Sequence, residues 1–400
     1  MEVKEMDIDL ILSELFTGEG SGLILIAFAI AFFIAVFVAV SAGWFRIILS
    51  IASFAYPSAR VRAMGNPLVT ADGADTLSDA SDLLDLFERA ARSGHIIEYR
   101  EGMGADDTER LIRQYHYTLL GNLAVSVPDA IHSLILGYIQ VYLAEEVASV
   151  LREISGGLPG DLIEKRAVPI GAFSSSAIRK AAHSGSVEEA VQRLDRSGVF
   201  PRIRAIWKAV GEQEGYAAFE SALFSESYRS LMMTARGMDE SQYEPAVLMA
   251  GRMIDCENLR ILIRGLLYGA DAAAIEPFLI QRGGFEISDD MLRNLARSAD
   301  LVELVSQIRE TMYISYIEPF IEQVKKSRDP GIIEVSLSQC LLDIGRMASS
   351  QYHLGSGPIL RYLVTLGFEC ENLQAAAAGI LYHVPAEMIR EQMVVGVSGR

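Results

Sequence analysis

Cys256-Glu257-Asn258-Leu259 and Cys370-Glu371-Asn372-Leu373 are one motif written twice, 114 positions apart (370 − 256). The register holds beyond the motif without a gap. Gly265, Leu267, Tyr268, Ala272 and Ile275 align with Gly379, Leu381, Tyr382, Ala386 and Ile389. A separate stretch shares the offset: Arg179, Ala182, Ser184, Glu189 and Val191 align with Arg293, Ala296, Ser298, Glu303 and Val305. Two independent stretches at one spacing point to a duplicated unit, and self-similarity of this kind decides an architecture before any local reading. A degenerate third copy lies upstream. With Glu145 set opposite Glu257 and Glu371, Pro159 meets Pro385 and Ile163 meets Ile389, while Asp82-Leu83-Leu84-Asp85-Leu86 has the character of Asp300-Leu301-Val302-Glu303-Leu304.

Apolar residues in these units recur at helical spacing, and no sustained period-two alternation interrupts them. The expected fold is all-α, with three similar helical domains at 56–164, 165–282 and 283–400. Pro57 and Pro245 suit helix starts, where a missing N–H costs nothing. Pro128 is expected to break the long segment Asp106–Ser155, with Gly156 closing it. Ser78 or Ser81 is the expected cap of the helix carrying Leu83, Leu84, Leu86 and Phe87, and Asp271 that of Ala272–Gln281.

Ahead of the units, 25 residues from Ser21 to Phe45 carry no charge, and their apolarity runs all round a helix. That length suffices for a hydrocarbon core of ~30 Å. Residues 1–20 hold six carboxylates against Lys4, the reverse of a signal peptide's basic start. Arg46, Arg60 and Arg62 follow the apolar run. An acidic leader (1–20) and an uncleaved single-pass anchor (21–45) in the cell membrane are therefore expected. The excess of basic residues places the N-terminus outside and the bulk of the chain on the cytoplasmic face.

A formal charge of −17, from 35 basic and 52 acidic residues, argues against nucleic acid as a partner. Three cysteines without CxxC spacing indicate neither a disulfide framework nor a zinc site. Six scattered histidines and the lack of a phosphate-binding loop or nucleophile motif leave no catalytic, cofactor or metal residues to name. Tyr115-His116-Tyr117 is read as helix packing. Glu257, Asn258, Glu371 and Asn372 are polar groups in mid-helix. Their recurrence suggests ties between neighbouring helices, since a buried polar group must find a partner. Glu257 is also within reach of Arg260.

Three stretches carry a family resemblance. They are Tyr56-x-x-Ala59-Arg60-Val61-Arg62-Ala63-Met64, Asp255-x-Glu257-Asn258-Leu259-Arg260, and Gly357-Pro358-Ile359-Leu360-x-Tyr362 running on to Glu369-x-Glu371-Asn372-Leu373. From Tyr56 to Arg400 the chain resembles the C subunits of archaeal A-type (V-type) ATP synthases, which are similar to the d subunits of vacuolar ATPases. The resemblance implies three helical domains in a pseudo-three-fold funnel and no active site or cofactor. It implies a non-catalytic central-stalk role, a socket joining the membrane proteolipid rotor ring to the central shaft subunits. Asp255, Glu257, Asn258, Arg260, Glu369, Glu371 and Asn372 are then structural signatures of the repeats. The apolar helix is extra to that pattern. If the protein turns with the ring, the helix is expected in the ring's lumen, clear of the stator. The chain also departs from the pattern at Leu366-Gly367 and at Gln374 with Ala375–Ala378. The competing reading is a membrane-anchored helical-repeat scaffold unrelated to ATP synthesis. Such scaffolds use many shorter repeats, about 34–47 residues each.

Overall fold

A computed structural model describes residues 21–396, without the side chains of residues 21–25, 39, 41–47 and 50. The acidic leader lies outside the described residues. The protein is 76% helical, with no strand among the described residues, so it is all-α. Residues Met1–Ser53 and Phe54–Arg400 form two compact units.

In the first unit the described large side chains of the apolar stretch face outward all round. Phe28, Phe33 and Phe37 are each about 70% exposed. An apolar surface without a polar stripe suits hydrocarbon as its solvent, so the helix is compatible with a single membrane crossing. Among the described residues one helix, Asp129–Ser155, is long and apolar enough to cross a membrane by length and composition, and the N-terminal apolar run Ile26–Val38 is shorter; but 72% of the apolar window of Asp129–Ser155 is buried in protein. It is a core helix of the second unit.

That second unit repeats one local plan three times. A short helix capped by Thr70, Ser174 or Ser288 opens each copy, the cap oxygen accepting from Gly73, Ala177 or Met291 N–H. A second short helix follows, capped by Asp82, Ser186 or Asp300. Its first turn reaches back. Asp85, Glu189 and Glu303 accept from the N–H groups of Ser81, Gly185 and Ala299, each the residue before the cap, at 3.0, 2.8 and 2.7 Å. These paired caps satisfy orphan helix-end donors from both sides, and they explain why Glu189 and Glu303 recur in the sequence. The expected Ser78 or Ser81 cap is corrected to Asp82, whose carboxylate accepts from Asp85 N–H at 2.9 Å.

Each copy then supplies a long helix: Asp129–Ser155, Glu240–Leu267 and Gly357–Leu381. We call these the Glu145, Cys256 and Cys370 helices. Pro128 separates Ala105–Ser126 from the Glu145 helix as expected. Two prolines depart from expectation. Pro57 lies inside the helix Ser21–Met64, and Pro245 inside Glu240–Leu267. Each forfeits one ladder hydrogen bond. Both rings are buried beside core side chains, Phe54 and Val61 for the first and Ala246 and Met249 for the second, and that burial offsets the loss.

Candidate functional site

The long helices are tied to the chain by the same device. Asn258 on the Cys256 helix donates to the carbonyl of Ile280 at 2.9 Å and accepts from its N–H at 2.8 Å, 22 residues on. Asn372 on the Cys370 helix repeats this with Val394, also 22 residues on, at 2.9 and 2.8 Å. On the Glu145 helix the equivalent position is Glu146. It accepts from Val168 N–H, again 22 residues on, at 3.2 Å. A carboxylate cannot donate as an amide does. Its second oxygen instead takes Tyr117 O–H at 2.8 Å and an ion pair with Arg113.

A second set of ties joins two of the long helices to the opening loop of another copy. Asp255 accepts from Phe285 N–H at 3.1 Å, from Glu286 N–H at 2.8 Å and from Tyr313 O–H at 2.8 Å. Burial pushes the Asp255 carboxyl up to about 6, against the pull of these donors. Glu369 accepts from Leu68 N–H at 2.9 Å and Asn66 Nδ2 at 3.0 Å, with His95 Nε2 3.4 Å away. The matching position on the Glu145 helix is Leu143, which lies against Gly171. The start of the first copy is thus held by the helix of the last.

Facing away from these ties, the residue before each tying side chain points into one recess. Glu145, Glu257 and Glu371 line a cavity of about 150 Å³ with Arg260, Tyr138, Tyr142 and Tyr228. Arg260 pairs with Glu257 at 3.2 Å and donates to Ser338 Oγ at 2.7 Å. Tyr138 and Tyr142 hydroxyls lie 3.0 Å apart. Glu145 and Glu371 are both solvent-exposed, although protein surrounds the recess that they line. Loss of bulk hydration, then repulsion from Glu257 and Glu371, pushes Glu145 up to about 8. Loss of hydration also pushes Glu371 up to about 7, Arg260 pulling it down and Glu257 pushing it further. Desolvation opposes the Arg260 charge, but Glu257 and its neighbours outweigh it and raise its pKa.

The recess therefore brings three glutamate side chains together with one guanidinium. Of the residues singled out in the sequence, Glu257, Arg260 and Glu371 come together here. Asp255, Asn258, Glu369 and Asn372 lie behind the recess wall in the ties just described. Tyr138, Tyr142, Tyr228 and the Arg113–Glu146 pair were not singled out. Glu146 was legible, since it stands where Asn258 and Asn372 stand, but a Glu-for-Asn exchange hides the equivalence. His116 and Tyr117 are buried packing residues, and burial lowers the His116 pKa to about 4.

The model of the ATP synthase (C/AC39) subunit family matches residues 57–392. The chain is similar to the C subunit of the A-type ATP synthase of Methanocaldococcus jannaschii, 23% identical over 356 residues, covering 87% of this chain and 88% of that protein. It is similar also to the corresponding C subunit of Haloferax volcanii, 24% identical over 286 residues, covering 70% of this chain and 80% of that protein. With the C subunit of Pyrococcus furiosus it shares 20% identity over 348 residues, covering 86% of this chain and 91% of that protein. The chain belongs to the ATP synthase (C/AC39) subunit family.

Proposed function

We propose that this protein is a non-catalytic central-stalk component of an A-type rotary ATP synthase. Residues 56–164, 165–282 and 283–400 act as three helical domains about a pseudo-three-fold axis. The recess of Glu145, Glu257 and Glu371 is the floor of a socket for the central shaft. The opposite end rests on the membrane proteolipid ring, so that ion flow through the ring drives ATP synthesis, or ATP hydrolysis drives pumping. Convergence of three repeat-equivalent glutamates on one cavity carries this reading. A socket that must hold a turning shaft by its end is served by like residues from every side, and a basic tip entering the recess would favour ionisation of these carboxyls and pair with them. Asp255, Asn258, Glu369 and Asn372, held in equivalent ties, keep the wall rigid. Ser21–Phe45 anchors the protein in the cell membrane with the N-terminus outside, and within the ring's lumen it would turn without striking the stator.

The test is a tagged pull-down of the full chain from mild-detergent membranes, with partners identified and counted by mass. One copy of this chain with proteolipid, shaft and nucleotide-binding subunits is the expected result. The double variant Glu145→Lys with Glu371→Lys should release the shaft while leaving the proteolipid ring bound. Recovery of none of these partners would refute the stalk role and return the fold to a membrane-anchored scaffold. Unchanged shaft retention in the double variant would refute the recess as its seat.

A further inference from the structure

In a chain with 52 acidic and 35 basic residues, one groove is lined by basic charge alone. A cavity of about 660 Å³ is bordered by Arg92, Arg346 and Arg361 together with Met64 and Leu342. A second, of about 250 Å³, adjoins it through shared Arg361 and adds Arg62. No carboxylate lines either cavity among the described residues.

Three of these arginines are held in place. Arg62 donates to the His353 carbonyl at 3.2 Å, Arg92 pairs with Glu88 at 3.3 Å, and Arg346 pairs with Asp343. Arg361 differs. Its guanidinium makes no hydrogen bond or ion pair among the described residues, although it stands beside another cation. The side chain is solvent-exposed, and the protein around its inner end, then repulsion from Arg346, lowers its pKa. A guanidinium carries five donors in a planar fork. An exposed guanidinium that has no carboxylate of its own is free to gain an ion pair when an anion arrives.

We propose that the groove of Arg62, Arg92, Arg346 and Arg361 binds a phosphate-bearing anion, with Arg361 as the bidentate contact. Planar, fork-like recognition is what arginine offers a phosphate. Arg92 and Arg346 supply further positive charge across the groove. The apolar flanks of Met64 and Leu342 admit alkyl groups beside the phosphate, a surface that a phospholipid headgroup with its glycerol would cover more fully than inorganic phosphate. The groove is distinct from the glutamate recess, and the inference stands whether or not that recess seats a shaft.

Isothermal titration of the full chain in a phosphate-free non-ionic detergent tests it. The probes are dihexanoyl phosphatidylglycerol, dihexanoyl phosphatidylcholine and inorganic phosphate. One saturable site for at least one anionic probe is expected, weakened about tenfold or more in Arg361→Gln and less in Arg361→Lys, which keeps the charge but loses the fork. Tighter binding of phosphatidylglycerol than of phosphate identifies a lipid headgroup as the ligand. Equal or tighter binding of phosphate identifies a soluble phosphate. In the absence of probe, Arg361→Gln should melt no lower than the parent, because it removes a like-charge contact. Should that variant fail to fold, Arg92→Gln takes its place, with a several-fold weakening expected. Absence of saturable binding by both anionic probes would overturn the proposal, as would affinities unchanged by both glutamine variants or matched by phosphatidylcholine.

Discussion

Asn372 donates a hydrogen bond to the carbonyl of Leu68 at 2.9 Å, across 304 positions of sequence. The same amide also holds Val394, so one buried side chain joins the last long helix, the C-terminal segment and the opening loop of the first copy. Three hydrogen bonds depend on it. Asn372→Ala leaves two carbonyls and an N–H buried without partners, at about 1–3 kcal/mol for each unsatisfied group. The expected destabilisation is about 3–5 kcal/mol in urea unfolding. Asn258→Ala, which breaks two such bonds, should cost less. Equal and small effects at both sites would show that the ties contribute little.

The carboxyls of the recess set a pH dependence. Glu145 and Glu371 have folded-state pKa values raised to about 8 and about 7, above the ordinary glutamate value of 4.5. The folded state therefore binds more protons than the unfolded chain between those limits, and stability falls as pH rises through this window. Below about 4.5 the penalty is absent, and above about 8 it is complete. Thermal unfolding from pH 5 to pH 9 should show a falling Tm in the parent and a flatter profile in Glu145→Gln. Because both groups reach water, the slope should be shallow. A profile that Glu145→Gln leaves unchanged would exclude Glu145 as its source, and one unchanged in Glu145→Gln with Glu371→Gln would exclude both.

Close helix contacts recur with the repeat. A Cβ added at Gly265 would stand 2.7 Å from Ile275 Cδ1, and one at Gly379 would clash with Ile389 at the equivalent position. Gly265→Ala and Gly379→Ala should each destabilise by about 1–3 kcal/mol through overpacking. Ile275→Val and Ile389→Val, made in the respective alanine variants, should recover part of it. Double-mutant cycles read the coupling, and full additivity would mean that the contact does not constrain the helices.

The apolar helix gives a fractionation prediction. The full chain should stay with membranes through alkaline carbonate washing, as a helix with exposed Phe28, Phe33 and Phe37 requires. Removal of residues 1–53, the boundary of the first compact unit, should leave the remainder dependent on other membrane proteins for retention. Complete release of the full chain by carbonate would rule out the anchor.

How much was legible follows from the range of the forces. Helical periodicity, caps and turns act within a few residues, so the all-α class, the Pro128 break and the Asp271 cap could be read locally. Ser81 illustrates the limit of that reading. It is a good capping residue by type, yet Asp82 takes the cap while the Ser81 N–H answers Asp85. Pro57 and Pro245 mislead in the same way, because propensity places them at helix starts while burial keeps them inside.

By itself the sequence determined the helical class and the apolar helix, since each is written in spacing or composition, while its motifs carried the family resemblance. Only the tertiary structure decided that Glu145, Glu257 and Glu371 share a cavity, that Glu146 does the work of an asparagine, and that Leu68 closes onto Glu369 and Asn372. The physical reason is that a helix's periodicity states which face is buried but not what it is buried against. Partners some 300 residues away in sequence are chosen by close packing of the whole chain, where shape and the need to satisfy every buried polar group select one arrangement.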